Sequence, residues 1–262
     1  MGDPRRVNLA DDHDEGYFSV DSFPDGGFIV SWTDFSGHDV KYQRFDSYGN
    51  KLGTEQLVDS SNLDKPGSYD YSSYESNHSD VAVLENGSYI ITWVYSQVEG
   101  FSHNNYTSNS YRYCKIFNHD GTVKRDKFII EERTEVKSYY YSTKTPVYIS
   151  SRLHIVPGSN SEFILIWKRN LSGFYAQKYN SLGEGVGSLY SFNGPPGDYP
   201  DHRRSRFYKR SNGDVGFFYT HNLSSPSNTP PRDSFEEGVY LLLVSAFSAQ
   251  FLEETIDGNT LS

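Results

Sequence analysis

The chain has 262 residues, enough for one large domain with a sizeable core. Its 24 Lys and Arg against 34 Asp and Glu give a net charge of −10, which argues against nucleic acid or an anionic membrane as the main partner, since both require a basic surface. A single cysteine excludes an internal disulfide and any site built from several cysteines. With 22 Tyr and 17 Phe and no apolar stretch long enough to span a bilayer, the composition predicts a β-rich globular protein without membrane insertion.

One sequence pattern occurs four times. In each copy a turn pair is followed by a five-residue run that ends in an aromatic residue, and the second turn residue precedes that aromatic by six. Asp-Gly and Asn-Gly pairs provide the positive φ angles of a type I′ hairpin, so each run is predicted to pair with the strand before it. The turn pairs are Asp25-Gly26, Asn86-Gly87, Asn160-Ser161 and Asn212-Gly213; the runs are 28–32, 89–93, 163–167 and 215–219; the earlier strands are predicted at 20–23, 81–84, 153–156 and 207–209.

A second pattern follows the runs and predicts a third strand, a tight turn and an outer strand. An aromatic residue stands four before a glycine at Phe45 and Gly49, at Phe117 and Gly121, and at Tyr179 and Gly183. In the fourth repeat we place the aromatic at Phe247, although Phe251 stands where the glycine is expected. The outer strands are predicted at 55–58, 127–130, 188–192 and 252–256.

The apolar runs indicate strands that are buried on both faces, as in sheets that stack face to face. The predicted fold is therefore all-β: a β-propeller-like array of four four-stranded antiparallel meanders, either closed into a ring or part of a longer array. Segment 6–9 is typical of an outer strand and would pair with the last repeat if the ring closes. We expect a single domain over 1–262, with repeats near 10–59, 79–132, 150–193 and 205–258.

The patterns of the first repeat resemble a tandem repeat of large bacterial cell-surface and RTX-type adhesin proteins, in which D-G-G-F-x-V-x-W and Y-x-Q-R-F-D-x-x-G-x-x-x-G segments recur. Residues 25–32 and 42–53 match it closely, and residues 177–187 match it in part. The resemblance implies a propeller-like, non-catalytic repeat at the cell surface or outside the cell, with neighbouring repeats in a longer chain. Residues 1–20 are polar and acidic and show no secretory leader.

The long loops are predicted to lie on one face, because the turn between strands two and three and the link to the next repeat emerge together. These segments are rich in Tyr, Asn and His, side chains that combine contact area with directed hydrogen bonds. We therefore predict a non-catalytic, lectin-like module that binds a glycan or protein ligand through the segments 59–79, 94–110, 133–150, 193–205 and 220–238. The candidate ligand-binding residues are Tyr69, Tyr71, Tyr74, Phe101, His103, Asn105, Tyr106, Tyr139, Tyr140, Tyr141, Tyr199, Asp201, His202 and Arg203.

Two other functions fit the same sequence. One is a structural repeat segment of a surface adhesin or an assembly scaffold. The other is a propeller-fold, glycosidase-like hydrolase that uses loop carboxylates, for which the candidates are Asp70, Glu75, Asp198, Asp201 and Asp233. No nucleophile elbow, H-E-x-x-H or phosphate-binding loop occurs, so we assign no catalytic residue. Asp34 and Asp39 are candidate Ca²⁺ ligands, and no other cofactor is expected.

Overall fold

The structure is a computed structural model of the chain, whose described residues form sixteen strands in four antiparallel sheets. A short 3₁₀ turn, Ser159–Ser161, lies between two of the strands. A membrane-spanning helix is not found in the described part of the chain. The residues described are 5–9, 15–34, 39–60, 74–102, 105–138, 153–168, 173–193, 206–209, 215–222, 237–244 and 251–254.

Sheets 1 and 2 belong to the first of two compact units, Met1–Leu153. In each sheet the strands follow one another in chain order and pair antiparallel, so each sheet is a four-stranded meander. Sheet 1 consists of β1 (Glu15–Ser22), β2 (Phe28–Asp34), β3 (Asp39–Phe45) and β4 (Lys51–Ser60), and sheet 2 of β5 (Tyr74–Val83), β6 (Tyr89–Ser102), β7 (Asn105–Phe117) and β8 (Val123–Ser138).

Sheets 3 and 4 form the second unit, His154–Ser262, and repeat the same meander. Their first strands contact each other. Sheet 3 consists of β9 (His154–Pro157), β10 (Phe163–Lys168), β11 (Gly173–Tyr179) and β12 (Gly185–Asn193), and sheet 4 of β13 (Arg206–Lys209), β14 (Val215–Asn222), β15 (Glu237–Val244) and β16 (Phe251–Glu254).

The predicted fold class is confirmed: the protein is all-β and propeller-like, with four antiparallel meanders of four strands each. The four apolar runs became the second strands β2, β6, β10 and β14, each of which is central in its sheet. Ring closure and a single domain over the whole chain stay predictions.

The core of the first unit lies between sheets 1 and 2. The rings of Tyr89 and Phe117 stack with their centroids 5.0 Å apart, and the Tyr42 ring of sheet 1 contacts both of them. Burial of this apolar surface is what holds the two sheets together, because no backbone ladder joins them. The buried core residues are Phe23, Ile29, Val40, Tyr42 and Val58 from sheet 1 and its first turn, and Val81, Val83, Tyr89, Ile91, Trp93 and Phe117 from sheet 2.

The hairpin turns of sheets 1 and 2 differ from the predicted type I′. The N–H of Gly26 donates to the carbonyl of Phe23, and the N–H of Phe23 donates to the carbonyl of Gly27, which encloses a three-residue loop. Within that loop only Gly26 has a positive φ, at +88°, so this is a type I turn with a glycine bulge; type I′ requires two positive angles. The same pattern closes the turns that contain Gly49, Gly87, Gly121 and Gly183.

Asp and Asn recur in these turns because their side chains accept hydrogen bonds from the turn backbone. Asp46 Oδ1 lies 2.9 Å from the N–H nitrogen of Tyr48 and 2.8 Å from that of Asn50. The hydrogen bonds from Asn50, that of its side chain first, lower the pKa of Asp46. The type I′ turn that we predicted for all sheets occurs in sheet 3, where Asn160 and Ser161 both have positive φ.

The Gln of the Y-x-Q-R pattern supports a bulge in the outer strand. Gln43 Nε2 donates to the carbonyls of Arg44 at 2.9 Å and of Leu52 and Gly53 at 3.4 Å. Gly53 has a φ of +74°, and the β3–β4 register shifts beside it. Sheet 3 repeats this arrangement with Gln177 and Gly187, so the spacing from Gln to the second Gly of the motif has a structural cause.

Three sequence predictions need correction. Segment 94–110, predicted as a loop, is mostly the continuation of β6 and β7, which pair as far as Ser102 and Asn105. Segment 6–9 is not a strand; instead the N–H of Leu9 donates to Glu55 of β4. In sheet 4 the third strand ends at Val244, which pairs with Phe251, so Val244 takes the place that we gave to Phe247. Phe247 itself lies outside the described residues.

Gly121 and Gly49 form a matched pair for testing the turns. Both have positive φ, +95° and +77°, so replacement by Ala costs about 1–2 kcal/mol at either site. A Cβ at Gly121 would also lie 2.9 Å from Arg44 Nη1 and would displace this guanidinium, whose Cζ lies 5.7 Å from the centroid of the Phe23 ring, whereas a Cβ at Gly49 would meet no atom within 4 Å. We expect Gly121→Ala to lower the free energy of unfolding more than Gly49→Ala in denaturant titrations. Equal losses would contradict this assignment.

The support that Gln43 gives to the bulge in β4 is tested by the variant Gln43→Ala, with Gln56→Ala of β4 as the control. Gln43 is buried and its amide joins two strands, so its removal leaves backbone carbonyls without a donor and is expected to cost about 1–3 kcal/mol of unfolding free energy. The amide of Gln56 is exposed and reaches only Thr54, two residues away, so its loss is expected to change stability by less than about 0.5 kcal/mol. Denaturant titrations of both variants measure the difference, and a silent Gln43→Ala would refute it.

Candidate functional site

Most of the predicted ligand-binding residues lie outside the described residues. Four of them lie on strands of sheet 2, where the structure describes the backbone: Tyr74 on β5, Phe101 on β6, and Asn105 and Tyr106 on β7. The prediction that these residues form a ligand-binding face therefore stays untested. Those outside the described residues are Tyr69, Tyr71, His103, Tyr139, Tyr140, Tyr141, Tyr199, Asp201, His202 and Arg203.

The two predicted calcium ligands do come together. Asp34 and Asp39 form the last pair of the β2–β3 ladder, next to the link between the two strands, and the Lys41 ammonium lies 2.8 Å from Asp34 Oδ2 and 3.7 Å from Glu55 Oε1. Burial acts to lower the pKa of Lys41, but the hydrogen bond to Asp34 and the surrounding carboxylates raise it overall. The ammonium group of Lys41, a cation of the protein itself, thus already lies among these carboxylates. No set of three or more metal-binding side chains is found in the described ranges, and Ca²⁺ at this place stays a prediction.

A different polar site joins β1 and β5, the first strands of sheets 1 and 2. The hydroxyl of Ser79 donates to the carbonyl of Tyr17 at 3.0 Å, and the hydroxyl of Ser19 donates to Asp80 Oδ1 at 2.6 Å. We call this group, together with Asp21 of β1, the carboxylate seam. It links the two sheets by side chains where no backbone ladder exists.

A β-bulge occurs at the same place in both first strands. The register of β1 on β2 shifts between Gly16 and Ser19, and that of β5 on β6 shifts between Asn77 and Asp80. The two residues that meet in the Ser19–Asp80 hydrogen bond therefore each follow a bulge. Tyr17, inside the first bulge, has a φ of +49°, which residues other than glycine rarely adopt. Bulges and such backbone angles are frequent at functional sites, where they redirect side chains.

Asp21 provides the second carboxylate of the seam. It accepts hydrogen bonds from the N–H of Val83 on β5 at 2.7 Å and from the N–H of Ser22 at 2.8 Å. Burial raises the pKa of Asp21, and the nearby charge of Asp80 raises it further, against the two backbone hydrogen bonds, which lower it. The carboxyl group of Asp21 therefore keeps its proton to higher pH than an ordinary Asp.

The seam is partly exposed to solvent. Asp21 and Asp80 are half-buried, and β1 exposes 42% of Tyr17 and 72% of Phe18. Two carboxyl groups in unequal surroundings, one of them with a raised pKa, are the kind of pair that general acid and general base catalysis uses. Exposed aromatic rings on the same strand offer flat apolar surfaces to a ligand.

The sequence analysis missed this site because it placed the first strands too short. We predicted strands at 20–23 and 81–84, whereas β1 begins at Glu15 and β5 at Tyr74. The bulges interrupt the alternation of polar and apolar residues on which a strand prediction depends. One signal was present: Ser19 and Asp21 are polar residues at alternate positions directly before a buried hairpin.

The chain was compared with known protein families, curated proteins and solved structures. No protein-family model matches the chain, and no curated protein matches it. The chain is similar to three solved carbohydrate-active enzymes: a GH43 β-1,3-galactosidase bound to galactodeoxynojirimycin (TM-score 0.48, 9% identity, covering 95% of this chain and 79% of that one), a GH93 α-L-arabinofuranosidase of Fusarium graminearum with arabinobiose (0.45, 11%, 91% and 66%), and a mannose phosphorylase from Leishmania mexicana with phosphate (0.34, 13%, 96% and 73%).

These matches correct the functional prediction. The sequence analysis favoured a non-catalytic binding module, whereas the solved structures that resemble this chain are glycosidases and a phosphorylase. The main prediction was wrong, and the hydrolase alternative agrees better with the findings. At these identities and TM-scores no substrate or catalytic residue is transferred from any of these enzymes. The resemblance to adhesin repeats stays a prediction.

The raised pKa of Asp21 leads to a stability test. An ionised carboxylate that burial disfavours destabilises the folded state at neutral pH, and this cost disappears as the pH falls to about 4, where Asp is protonated in the unfolded chain as well. Asp21→Asn carries no charge and keeps one oxygen acceptor for the N–H of Val83, while the N–H of Ser22, an exposed residue, can bond to water instead of the second carboxylate oxygen. We therefore expect a higher melting temperature than wild type at pH 7, and a smaller difference at pH 4. A lower melting temperature for the variant at pH 7 would contradict this picture.

Proposed function

We propose that this protein is a glycoside hydrolase whose catalytic pair is Asp21 and Asp80 of the carboxylate seam. The observation that supports the proposal is the placement of two half-buried carboxyl groups on the first strands of adjacent sheets, with the protonated form of Asp21 favoured. The loop carboxylates of the hydrolase alternative stay untested: Asp70, Asp198, Asp201 and Asp233 lie outside the described residues, and Glu75 is described by its backbone alone.

In the proposed reaction, Asp21 acts as the general acid. Its carboxyl proton passes to the glycosidic oxygen while the bond between that oxygen and the anomeric carbon breaks. Burial favours the protonated form, so Asp21 can hold a proton at a pH where an exposed Asp would have lost it. Because this step needs the protonated acid, turnover is expected to fall as the pH rises above the pKa of Asp21.

Asp80 acts as the general base. A water molecule attacks the anomeric carbon, and its proton passes to Asp80 as the new carbon–oxygen bond forms. Asp80 Oδ1 accepts hydrogen bonds from the Ser19 hydroxyl at 2.6 Å and from the N–H of Val81 at 3.2 Å, and both donors orient the carboxylate. Overall, one glycosidic bond and one water molecule are consumed, and each product carries one new hydroxyl.

The neighbourhood of the pair fits a sugar. Ser19 and the two carboxylates are partly exposed hydrogen-bonding groups, and the exposed aromatic residues Tyr17 and Phe18 lie on the same strand as Ser19. A glycan combines hydroxyl groups with an apolar ring face, so polar residues next to exposed aromatic rings suit it. Action on glycans outside the cell or at its surface, as the sequence resemblance implies, stays a prediction.

The test is hydrolysis of a panel of p-nitrophenyl glycosides, pyranosides and furanosides of both anomers, followed by release of nitrophenol. We expect turnover by the wild type and a loss of about 100-fold or more in kcat/KM for Asp21→Asn and for Asp80→Asn, because each removes one proton-transfer group. Asp126→Asn is the matched control: it removes a carboxylate that is 82% exposed on the outer strand β8, and it is expected to leave kcat/KM unchanged.

Two outcomes would overturn the proposal. One is the absence of turnover on the whole panel by a folded wild type. The other is turnover that survives in both Asp21→Asn and Asp80→Asn. Ionisation of the base Asp80 makes the rate rise on the acidic side of the profile, but a rate that keeps rising through neutral pH without a decline would refute the assignment of Asp21 as the acid, even if both variants lose activity.

A further inference from the structure

We propose that Tyr17 is the stacking platform of this site, on which the apolar face of a sugar ring packs while its hydroxyl groups reach the carboxylate seam. The inference rests on the proposed function, and it assigns the aromatic subsite to a particular residue. It comes from the bulge in β1, from the exposure of the ring and from the contact that fixes the backbone.

The bulge places Tyr17 in an unusual position. Within the register shift between Gly16 and Ser19, two residues of β1 have no regular partner on β2, and Tyr17 is one of them. Its φ of +49° is a left-handed angle that a Tyr adopts only when the surrounding structure imposes it. A strand without the bulge would direct the side chain at this position differently, because successive residues of a strand alternate between the faces.

The second sheet holds this conformation in place. Ser79, buried in the corresponding bulge of β5, donates its hydroxyl hydrogen to the carbonyl of Tyr17 at 3.0 Å. The same bulge brings Asp80 to Ser19. One pair of bulges therefore fixes the backbone of Tyr17 and, through Ser19 two residues further along β1, the orientation of the Asp80 carboxylate on β5.

The aromatic surface is exposed in the part of the chain that the structure describes. Tyr17 is 42% exposed and its neighbour Phe18 is 72% exposed, whereas the aromatic residues of the core cluster are buried. A ring with this much of its surface in contact with solvent can pack against the apolar face of a ligand. The phenolic hydroxyl adds a hydrogen-bonding group at the ring edge.

Binding is measured separately from catalysis by using the Asp80→Asn variant. Saturation-transfer NMR with a mixture of methyl glycosides of galactose, arabinose, mannose, glucose and xylose detects which sugar binds, and a titration gives its Kd. Tyr17→Gly in this background removes the ring but favours the positive φ, so the fold is expected to persist. We expect binding about tenfold weaker for Tyr17→Gly, and within about twofold for Tyr17→Phe, which keeps the ring.

Tyr48→Ala is the matched control. Tyr48 is 86% exposed in the β3–β4 turn, where it is remote along the sheet from β1, and its loss is expected to leave the Kd within about twofold. Thermal melting of every variant verifies folding. Equal binding by Tyr17→Gly and its parent, or the absence of sugar binding by a folded parent, would overturn the inference.

The outcomes separate the two proposals. Hydrolysis that depends on Asp21 and Asp80, together with sugar binding that does not depend on the Tyr17 ring, would reject the stacking platform and leave the catalytic assignment in place. Ring-dependent binding without any hydrolysis would reject the catalytic assignment and keep Tyr17 as a sugar contact.

Discussion

The first unit depends on how the free edges of two strands are satisfied. β1 and β5 each pair on one side only, with β2 and β6, so the backbone groups on their other sides need different partners. Asp21 accepts the N–H of Val83, and Ser79 donates to the carbonyl of Tyr17. Polar side chains are therefore required between the first strands, where the sheets approach each other. A site for chemistry and a means of joining two sheets are built from the same residues.

Because the same polar residues join the sheets and form the candidate site, the interface between sheets 1 and 2 is polar at one end and apolar at the other. Towards the short turns the contact is apolar and aromatic, with Tyr42, Tyr89 and Phe117 packed ring against ring. Along the first strands it is polar, and one carboxyl group there carries the cost of partial burial. The unfavourable free energy of partly burying this carboxyl group must be offset by favourable packing elsewhere, and burial of the aromatic core provides that stabilisation.

How far the sequence could predict this protein depended on whether each feature is local. Turns and central strands are local: the Asx residue and glycine of a turn, and the run that follows, specify each hairpin over fewer than ten residues, and all four hairpins were found. The turn type was missed in sheets 1 and 2, because one glycine at positive φ suffices when an Asp or Asn side chain supports the loop. The motif that carries the adhesin resemblance has a local explanation as well, since Gln43 and Gly53 meet at a bulge.

The carboxylate seam is not local. Ser19 and Asp80 are 61 residues apart, and only the packing of two sheets and two register shifts brings them together.

The strict chain order of the strands has a consequence for how the molecule is made. Every strand of a sheet pairs with the strand just before or just after it, so all ladders form between segments close in sequence, a topology associated with rapid folding. Each meander can assemble as it emerges during synthesis, without waiting for the rest of the chain. Sheet 1, however, then presents Ile29 and Tyr42 to water until sheet 2 has been completed to cover them. The nascent chain is most exposed to aggregation between these two events. The length of this interval depends on the rate of translation over residues 61–117.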